Sequence, residues 1–246
     1  MDFRTLLYGE GLFETILWRG RTKKLERHYR RLKNSATFFK IPFIDYETFC
    51  QEIEKKTEGK KDLYVKFCLL TKGDTLYYSS PQSFEIAILK KEYLSDRTAK
   101  KLMLSTIKRH SKNPVIYHKT MNYLTNILVK REAMEAGFDD AVMLNERDEI
   151  TECSASNIVI LRKDKLFTPS QKSGLLLGTT LEILIEKFNI KEEKLTLKEL
   201  YNANSVFITN SLIGALPASK FMDKTYYIDN EILNELNRLI DEENKL

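Results

Sequence analysis

The order of apolar and polar residues predicts alternating strands and helices in the first half of the chain. "GLFETILWRGR" predicts two strand stretches that join at Arg19-Gly20. An apolar residue returns every third or fourth position in "KKLERHYRRLKNSATFFK", which is typical of an amphipathic helix with a stripe of Leu25, Tyr29, Leu32 and Ala36. This helix should end before Pro42, because the residue that precedes a proline disfavours the helical conformation. A second helix, "YETFCQEIEKKTE", and two strands, "DLYVKFCLLTKGD" and "SFEIAILKKEY", complete the first half.

The second half begins with a polar segment, "KRHSKNP", at residues 108–114, which we predict to be a linker. The strand-like "PVIYH" then gives way at Lys119 to a helical pattern with one apolar face of Met121, Leu124, Ile127 and Leu128. Strands are predicted in "AVMLN", "ITECSASNIVIL", "KLFTP" and "SVFITN", and helices in "GTTLEILIEKFNI" and "NEILNELNRLIDEE". Residues 1–107 and 115–246 therefore predict two α+β domains, and a cleft between domains is a common place for a ligand.

Composition narrows the class of protein. The chain has 246 residues, of which 42% are apolar and 30% charged, as in a folded globular protein. No apolar run reaches the roughly 18 residues that span a membrane, and the first residues lack the apolar core of a signal peptide, so we predict a cytoplasmic protein. The net charge of +5 is spread among acidic residues, which favours a small anionic substrate over nucleic acid. The spacing of the three cysteines and three histidines predicts neither a disulfide framework nor a metal site.

Three features indicate chemistry. Lys119 stands at a predicted helix start, where the helix dipole disfavours a cation. Glu152 lies among small polar residues in "TECSASN". Gly178 precedes Thr179 and Thr180 at the start of another helix, and the free N–H groups and hydroxyls of such a start suit a phosphate. Taken separately, each feature is more often an ordinary surface lysine, surface carboxylate or helix N-cap.

Six segments, in this order, carry a resemblance to a known family: "YGEGLFETI", "RHYRRLKNSA", "HKTMNYLTNILVKREA", "ITECSASNIVI", "LLLGTT" and "ITNSLIGALP". Together they resemble the successive motifs of the class IV pyridoxal-phosphate enzymes, which include branched-chain and D-amino-acid aminotransferases and 4-amino-4-deoxychorismate lyase. The resemblance covers nearly the whole chain. It implies a two-domain α+β fold like that of D-amino-acid aminotransferase, with a truncated N-terminal hairpin, and a homodimer in which loops of the partner subunit complete the active site.

The resemblance also implies roles for individual residues. Lys119 is implied to bind pyridoxal 5'-phosphate covalently, and both burial and a helix N-terminus would favour the neutral amine that this reaction needs. Glu152 is implied to pair with the protonated pyridine nitrogen of the cofactor. Arg31, in the His-x-x-Arg-Leu pattern that ends at Leu32, is implied to hold the cofactor phosphate. The other implied cofactor contacts are Thr179, Thr180 and Ser211 at the phosphate and Tyr123, which either lines the same pocket or packs in the core.

Two details of the resemblance favour the lyase. Cys153 follows Thr-Glu where aminotransferases more often have glycine, and "TNSLIGALP" is similar to the lyase version of that segment. The implied reaction converts 4-amino-4-deoxychorismate to pyruvate and 4-aminobenzoate for folate synthesis. The alternatives are a branched-chain or D-amino-acid aminotransferase and a non-catalytic protein that binds the cofactor. For a dicarboxylate substrate, the resemblance and the available cations indicate contacts from Phe13, Tyr64, Lys66 and Lys72.

Overall fold

The computed structural model describes residues 3 to 245, so Met1, Asp2 and Leu246 of the predicted domains lie outside the described residues. The chain forms two compact units. Unit 1 consists of residues 3–94, 118–123 and 243–245, and unit 2 of residues 95–117 and 124–242. The predicted linker at residues 108–114 lies within unit 2, whereas the six residues 118–123 belong to unit 1.

Unit 1 is a three-stranded antiparallel sheet covered by helices. The strands follow the order β1-β2-β3, and the elements are α1 Arg4–Tyr8, β1 Gly11–Trp18, α2 Lys23–Phe38, α3 Tyr46–Thr57, β2 Leu63–Lys72 and β3 Ser83–Glu92. Leu12 and Ile16 of β1 join Val65 and Phe67 of β2 in a core with α2 and α3. Because successive strand residues point to opposite faces, Phe13 and the residues that alternate with this core lie on the other face.

The predicted second strand after Gly20 is wrong. The chain turns at Gly20, where φ is 100°, and enters α2 directly. Thr22 caps this helix, because its hydroxyl accepts a hydrogen bond from the N–H of Leu25 at 3.3 Å. Because the helix already begins at Lys23, too few residues remain after Gly20 to form a second strand.

Unit 2 is built on a nine-stranded mixed sheet in the order β6-β5-β4-β11-β10-β7-β8-β9, with β12 paired to β11. Its strands are β4 Lys100–Leu104, β5 Asp140–Leu144, β6 Ile150–Cys153, β7 Asn157–Arg162, β8 Lys165–Pro169, β9 Lys191–Glu193, β10 Ser205–Asn210, β11 Gly214–Phe221 and β12 Lys224–Thr225. Its helices are α4 Leu124–Glu135, α5 Thr179–Phe188, α6 Leu197–Tyr201 and α7 Asn230–Glu242. Buried side chains of β5, β7, β10 and β11 form its apolar core. No helix within residues 3–245 is long and apolar enough to cross a membrane.

The apolar stripe predicted for the helix after Lys119 is not the face that packs in unit 2. Val129 and Ala133 are the buried residues of α4, against the sheet. Three residues of the predicted face are exposed instead: Leu124, Ile127 and Leu128. An apolar stripe alone shows that a helix has a face to cover, but it does not show which neighbour covers it.

Candidate functional site

Lys119 lies on the edge of the unit 1 sheet. Its carbonyl accepts a hydrogen bond from the N–H of Phe13 at 3.0 Å, and the N–H of Met121 donates to the carbonyl of Gly11 at 2.8 Å. Leu12 and Thr120 form an antiparallel bridge between these two bonds. Residues 119–121 are therefore held extended along β1. The prediction that Lys119 begins a helix is wrong, because α4 starts only at Leu124 and the sheet edge uses the intervening backbone groups.

Aromatic rings flank the amine of Lys119. The Nζ atom lies 4.6 Å from the ring centre of Phe13 and 5.6 Å from that of Tyr123. The two rings meet edge to face, with centres 5.2 Å apart and planes at 87°. Tyr123 thus packs within unit 1 beside the lysine, and the pair of rings restricts the direction in which the amine can point.

A second lysine lies near the same phenyl ring. Lys66 is opposite Thr15 in the β1–β2 register, on the face that carries Phe13, and its Nζ lies 4.3 Å from the Phe13 ring centre. Tyr64 is next on this face, and burial raises the pKa of its hydroxyl, which is hydrogen-bonded to Thr15. Lys66, Tyr64 and Thr15 therefore form a partly polar surface near Lys119.

Lys72, the fourth predicted substrate residue, has other partners. Its Nζ forms an ion pair with Glu85 at 2.7 Å and lies 4.4 Å from the ring centre of Phe3. Its charge is therefore already balanced within unit 1, which leaves Lys66 as the better candidate for a substrate carboxylate.

Arg31 is held by a buried carboxylate. Its Nε and Nη2 atoms donate to the two oxygens of Glu14 at 2.8 and 2.6 Å, and Nδ1 of His28 lies 2.7 Å from Oε2 of the same carboxylate. Burial would raise the pKa of Glu14, but the charges of Arg31 and His28 and their hydrogen bonds lower it to about 2. Burial lowers the pKa of His28. At neutral pH the cluster is therefore a carboxylate that orients a guanidinium, the group best suited to bind a phosphate.

Glu152 is buried in unit 2 at the end of β6. Its Oε1 pairs with Nη1 of Arg109 at 2.5 Å, and the N–H of Leu176 lies 3.4 Å from the same oxygen. Its Oε2 accepts a hydrogen bond from Nδ2 of Asn157 at 3.1 Å. A cation and two hydrogen-bond donors stabilise the carboxylate form, which is the form that an assignment to the pyridine nitrogen requires.

The amino end of α5 has the features of an anion site. Gly178 is its N-cap and supplies no side chain, so the first turn keeps backbone N–H groups that the helix itself cannot pair. Thr179 and Thr180 follow, both buried. Within the described part of the chain, the buried hydroxyls of Thr180 and Thr209 have no hydrogen-bond partner. Buried polar groups without partners are costly, so a bound phosphate would satisfy groups that the fold leaves open.

Ser211 lies in the turn between β10 and β11. The side chain of Asn210 accepts hydrogen bonds from the N–H groups of Leu212 and Ile213 at 2.9 and 3.0 Å, and this fixes the turn around Ser211. Ser211 is half-buried. The predicted residues thus fall into a unit 1 set around Lys119 and Arg31 and a unit 2 set around Glu152 and α5; their convergence on one site stays a prediction.

The family model described as amino-transferase class IV matches residues 11–221. The chain belongs to this family. Class IV aminotransferases depend on pyridoxal phosphate, so the predicted family, fold class and cofactor are confirmed. The residues present fit the chemistry of the cofactor, because unit 1 offers an amine and a guanidinium while unit 2 offers a carboxylate and, at the start of α5, the unpaired buried hydroxyl of Thr180.

Proteins that are similar to this chain are named for two different activities, aminotransferase and lyase. A Methanocaldococcus jannaschii protein, provisionally named a branched-chain-amino-acid aminotransferase, is 29% identical over 98% of this chain and 88% of its own length. The aminodeoxychorismate lyase of Vibrio harveyi is 27% identical over 88% of this chain and 84% of its own. A Legionella pneumophila crystal structure, provisionally named a 4-amino-4-deoxychorismate lyase, superposes with a TM-score of 0.92 at 27% identity, covering 99% of this chain and 94% of the other.

Sequence reasoning missed three residues that contact predicted site residues: Glu14, Arg109 and Asn157. Glu14 interrupts the buried apolar face of β1, between Leu12 and Ile16, and that interruption was a usable signal. Arg109 lies in the segment predicted to be a linker, so its burial had no signal in the sequence.

Proposed function

We propose that the protein is a 4-amino-4-deoxychorismate lyase, which releases pyruvate and forms 4-aminobenzoate for folate synthesis. The observation that carries the proposal is the position of Lys66, whose ammonium lies near the same phenyl ring as the amine of Lys119. A cation in contact with the same ring as the reacting amine favours a substrate that carries a carboxylate beyond the one next to its amine. A branched-chain amino acid has only its α-carboxylate, and its aliphatic side chain would gain nothing from this cation.

In this proposal, separate residues of the chain bind the cofactor and move the proton. When bound, pyridoxal phosphate supplies an electron sink for the carbon that bears the substrate amine. Lys119 removes the proton from C4 of the substrate ring through its Nζ atom. The electron pair left by that proton completes the aromatic ring as the bond to the enolpyruvyl oxygen breaks, and the departing group takes up a proton to become pyruvate. Glu152 would pair with the ring nitrogen, and Arg31 and the start of α5 would hold the phosphate.

In this proposal, the substrate binds to the face of the unit 1 sheet that carries Phe13. Lys66 binds a carboxylate as a point charge, without the two-pronged geometry of arginine. Tyr64, in the same row of β2, contributes a hydroxyl. Cys153 takes no direct part, because it is fully buried in the core of unit 2. Its support for the lyase is therefore a resemblance only.

A second candidate is an aminotransferase. The name of the Methanocaldococcus jannaschii relative, which spans 98% of this chain, favours it. Branched-chain aminotransferase names also belong to relatives from Aquifex aeolicus and Thermotoga maritima at 27% and 26% identity. Both reactions begin with proton removal by the lysine, so they differ in the next step: a transaminase must wait for a second substrate, whereas a lyase regenerates its starting form in each turnover.

The test supplies 4-amino-4-deoxychorismate to the holoenzyme without any keto acid. We expect pyruvate and 4-aminobenzoate to accumulate over many turnovers. Product that stops at one equivalent of enzyme, or that forms only with pairs of amino and keto acids, would establish the aminotransferase instead.

A charge variant tests the substrate contact. Lys66→Met should raise KM for this substrate about tenfold, since a charge-assisted contact contributes about 1.5 kcal/mol or more. Lys91→Met is the matched control, because Lys91 lies over the Tyr64 ring on the same sheet, 4.7 Å from its centre, but is exposed. Equal effects of the two variants would argue against Lys66 as the carboxylate contact.

We also propose that the protein works as a homodimer, as the resemblance implies. Support comes from α4, whose exposed residues Leu124, Ile127 and Leu128 form an apolar stripe on unit 2. Exposed apolar stripes of this kind are typical of protein interfaces.

A further inference from the structure

The side chain of Asn157 joins Glu152 to the amino end of α5. Its Nδ2 donates to Oε2 of Glu152 at 3.1 Å and to the carbonyl of Leu176 at 2.9 Å, while its Oδ1 accepts from the N–H of Gly178 at 3.0 Å. Both amide hydrogens are used. The reverse orientation of the amide would set its oxygen against two acceptors, so the contacts allow one orientation only.

Asn157 is an unusual first residue for β7. The strand that follows it, "IVILR", is almost wholly apolar, and Asn157 is itself buried. A buried amide is costly unless its hydrogen bonds are made, and here three are made to groups of two other segments. The polar side chain is therefore explained by the groups that it connects.

Gly178 shows how closely Asn157 approaches the helix start. The φ angle of Gly178 is −69°, which any residue adopts, so its backbone does not require glycine. A Cβ atom at this position would instead overlap Oδ1 of Asn157. The glycine is therefore required by the hydrogen bond from its own N–H to Asn157.

The two ends of this link differ in charge preference. At one end, Glu152 is held on its other side by an ion pair with Arg109 at 2.5 Å. At the other end, Gly178 leads into the helix start that offers N–H groups and the unpaired hydroxyl of Thr180. Thr209, which also has a buried hydroxyl without a hydrogen-bond partner, is the register partner of Asn157 in the neighbouring strand β10.

We propose that Asn157 is a positioning residue that fixes the distance between Glu152 and the amino end of α5, so that one ligand with a basic nitrogen and a phosphate can satisfy both ends. It rests on the assignment of these two groups to the cofactor in the proposed function. It does not depend on which reaction the enzyme performs, and its tests measure cofactor binding without turnover.

The first test compares Asn157→Ala with a matched variant, Asn145→Ala, in the apoprotein. Asn145 is also buried, and its Nδ2 also donates to a carboxylate and a carbonyl, those of Glu149 and Ser173, at 2.8 and 2.9 Å. We expect Asn157→Ala to weaken binding of pyridoxal phosphate about 10- to 100-fold, as for the loss of two or three hydrogen bonds. Asn145→Ala should lower the unfolding temperature without a comparable loss of binding. Equal losses of affinity in the two variants would overturn the proposal.

Comparison of two ligands locates the effect. Pyridoxal has the ring nitrogen but no phosphate, so it cannot use both ends of the link. Asn157→Ala should therefore weaken pyridoxal binding by a smaller factor than pyridoxal phosphate binding. The same factor for both ligands would show that Asn157 supports only the ring end, and would also overturn the proposal.

Asn157→Asp gives a signature that general damage to the fold does not. At high pH the new carboxylate faces Glu152 and can no longer donate to it, so cofactor affinity should fall as in Asn157→Ala. As the pH is lowered, a proton shared by the two carboxylates restores a donor, and affinity relative to the wild type should recover. Asn157→Ala should show no such recovery. A pH-independent ratio in Asn157→Asp would count against the hydrogen bond as the cause.

Gly178→Ala tests the same contact by changing the helix start instead of Asn157. It replaces the first test if Asn157→Ala fails to fold. In the wild-type background its Cβ overlaps Oδ1 of Asn157, so we expect weaker cofactor binding. In an Asn157→Ser background the shorter side chain removes the overlap, and the further effect of Gly178→Ala should shrink to less than about twofold. Additive effects of the two substitutions would overturn the proposal.

Discussion

At the scale of single residues, the buried carboxylate of Glu14 orients the guanidinium of Arg31. Arg31 would be a flexible cation on α2 without it, and the two hydrogen bonds at 2.8 and 2.6 Å give its guanidinium one orientation. His28 supports the same carboxylate from a third direction. If Arg31 binds the cofactor phosphate as proposed, Glu14 matters to that site as much as the arginine does, since a cation in one fixed position loses less entropy on binding.

Glu14→Gln tests this role through stability. The variant removes the negative charge of the buried pair with Arg31, and we expect it to lower the free energy of unfolding at pH 7 by about 3 kcal/mol, at the low end for a broken buried pair because Arg31 is partly exposed. Urea unfolding measures the change. Glu54→Gln, which removes an exposed partner of Arg21, is the control and should have a small effect.

The pH dependence of stability has a defined sign. The pKa of Glu14 is about 2 in the folded protein and 4.5 as a model value, so the unfolded chain takes up the proton first as the pH falls. The stabilisation from Glu14, about 3 kcal/mol for a shift of this size, is fully present above pH 4.5 and is lost as the pH falls towards 2. Glu14→Gln should lack this part of the acid loss. Parallel curves for the variant and the wild type between these pH values would show that Glu14 is not the group responsible.

The residues assigned to the cofactor were predicted through the family resemblance, but the residues that support them were not predicted. Lys119, Glu152 and Arg31 stand in motifs that resemble those of the family. Glu14 and Arg109 act on partners that are distant along the chain, and the pairs meet only once strands and loops have assembled. Local patterns carry no information about such pairs.

At the scale of elements, the placement of Lys119 shows where periodicity is informative. The helical pattern after it is real, yet α4 begins only at Leu124, because the backbone of residues 119–121 pairs with β1. Strand β4 was missed for a related reason. It is short and follows a charged stretch, but β5 and β11 pair with both of its edges, so the sheet supplies what its sequence lacks.

The pairing of residues 119–121 with β1 predicts an effect of Gly11→Ala. A Cβ at this position would lie 2.9 Å from Cγ of Met121 and 2.9 Å from two side-chain atoms of Thr5. The crowding should push Met121 away and weaken its N–H bond to the Gly11 carbonyl, at a cost of about 1–3 kcal/mol. Hydrogen exchange should then speed up at the amides of Phe13 and Met121 and stay slow in the β2–β3 pair. Unchanged protection of both amides would show that the edge pairing does not depend on this contact.

At the scale of the whole molecule, composition and periodicity predicted the α+β class, while the particular fold needed the ordered motifs. The family match across residues 11–221 and the TM-score of 0.92 with the Legionella structure confirm that fold. The order of strands in unit 2 could not have been predicted from the pattern, since neighbours such as β4 and β11 are far apart along the chain.

Assembly is the last prediction at this scale. Leu124 and Leu128 of α4 are 64% and 44% exposed, and Ile127 between them is 39% exposed, although the predicted helix pattern marks all three as a face to be covered. Burying such a stripe against a second copy would remove apolar surface from water at about 25 cal/mol per Å². We therefore expect sedimentation to show a dimer, and Leu124→Glu with Leu128→Glu to shift it towards the monomer. Tyr227→Glu is the control, because Tyr227 is 72% exposed in unit 2 but lies outside this stripe. A wild-type monomer that turns over substrate would contradict the dimer, and a dimer that resists the double substitution would show that α4 is not its interface.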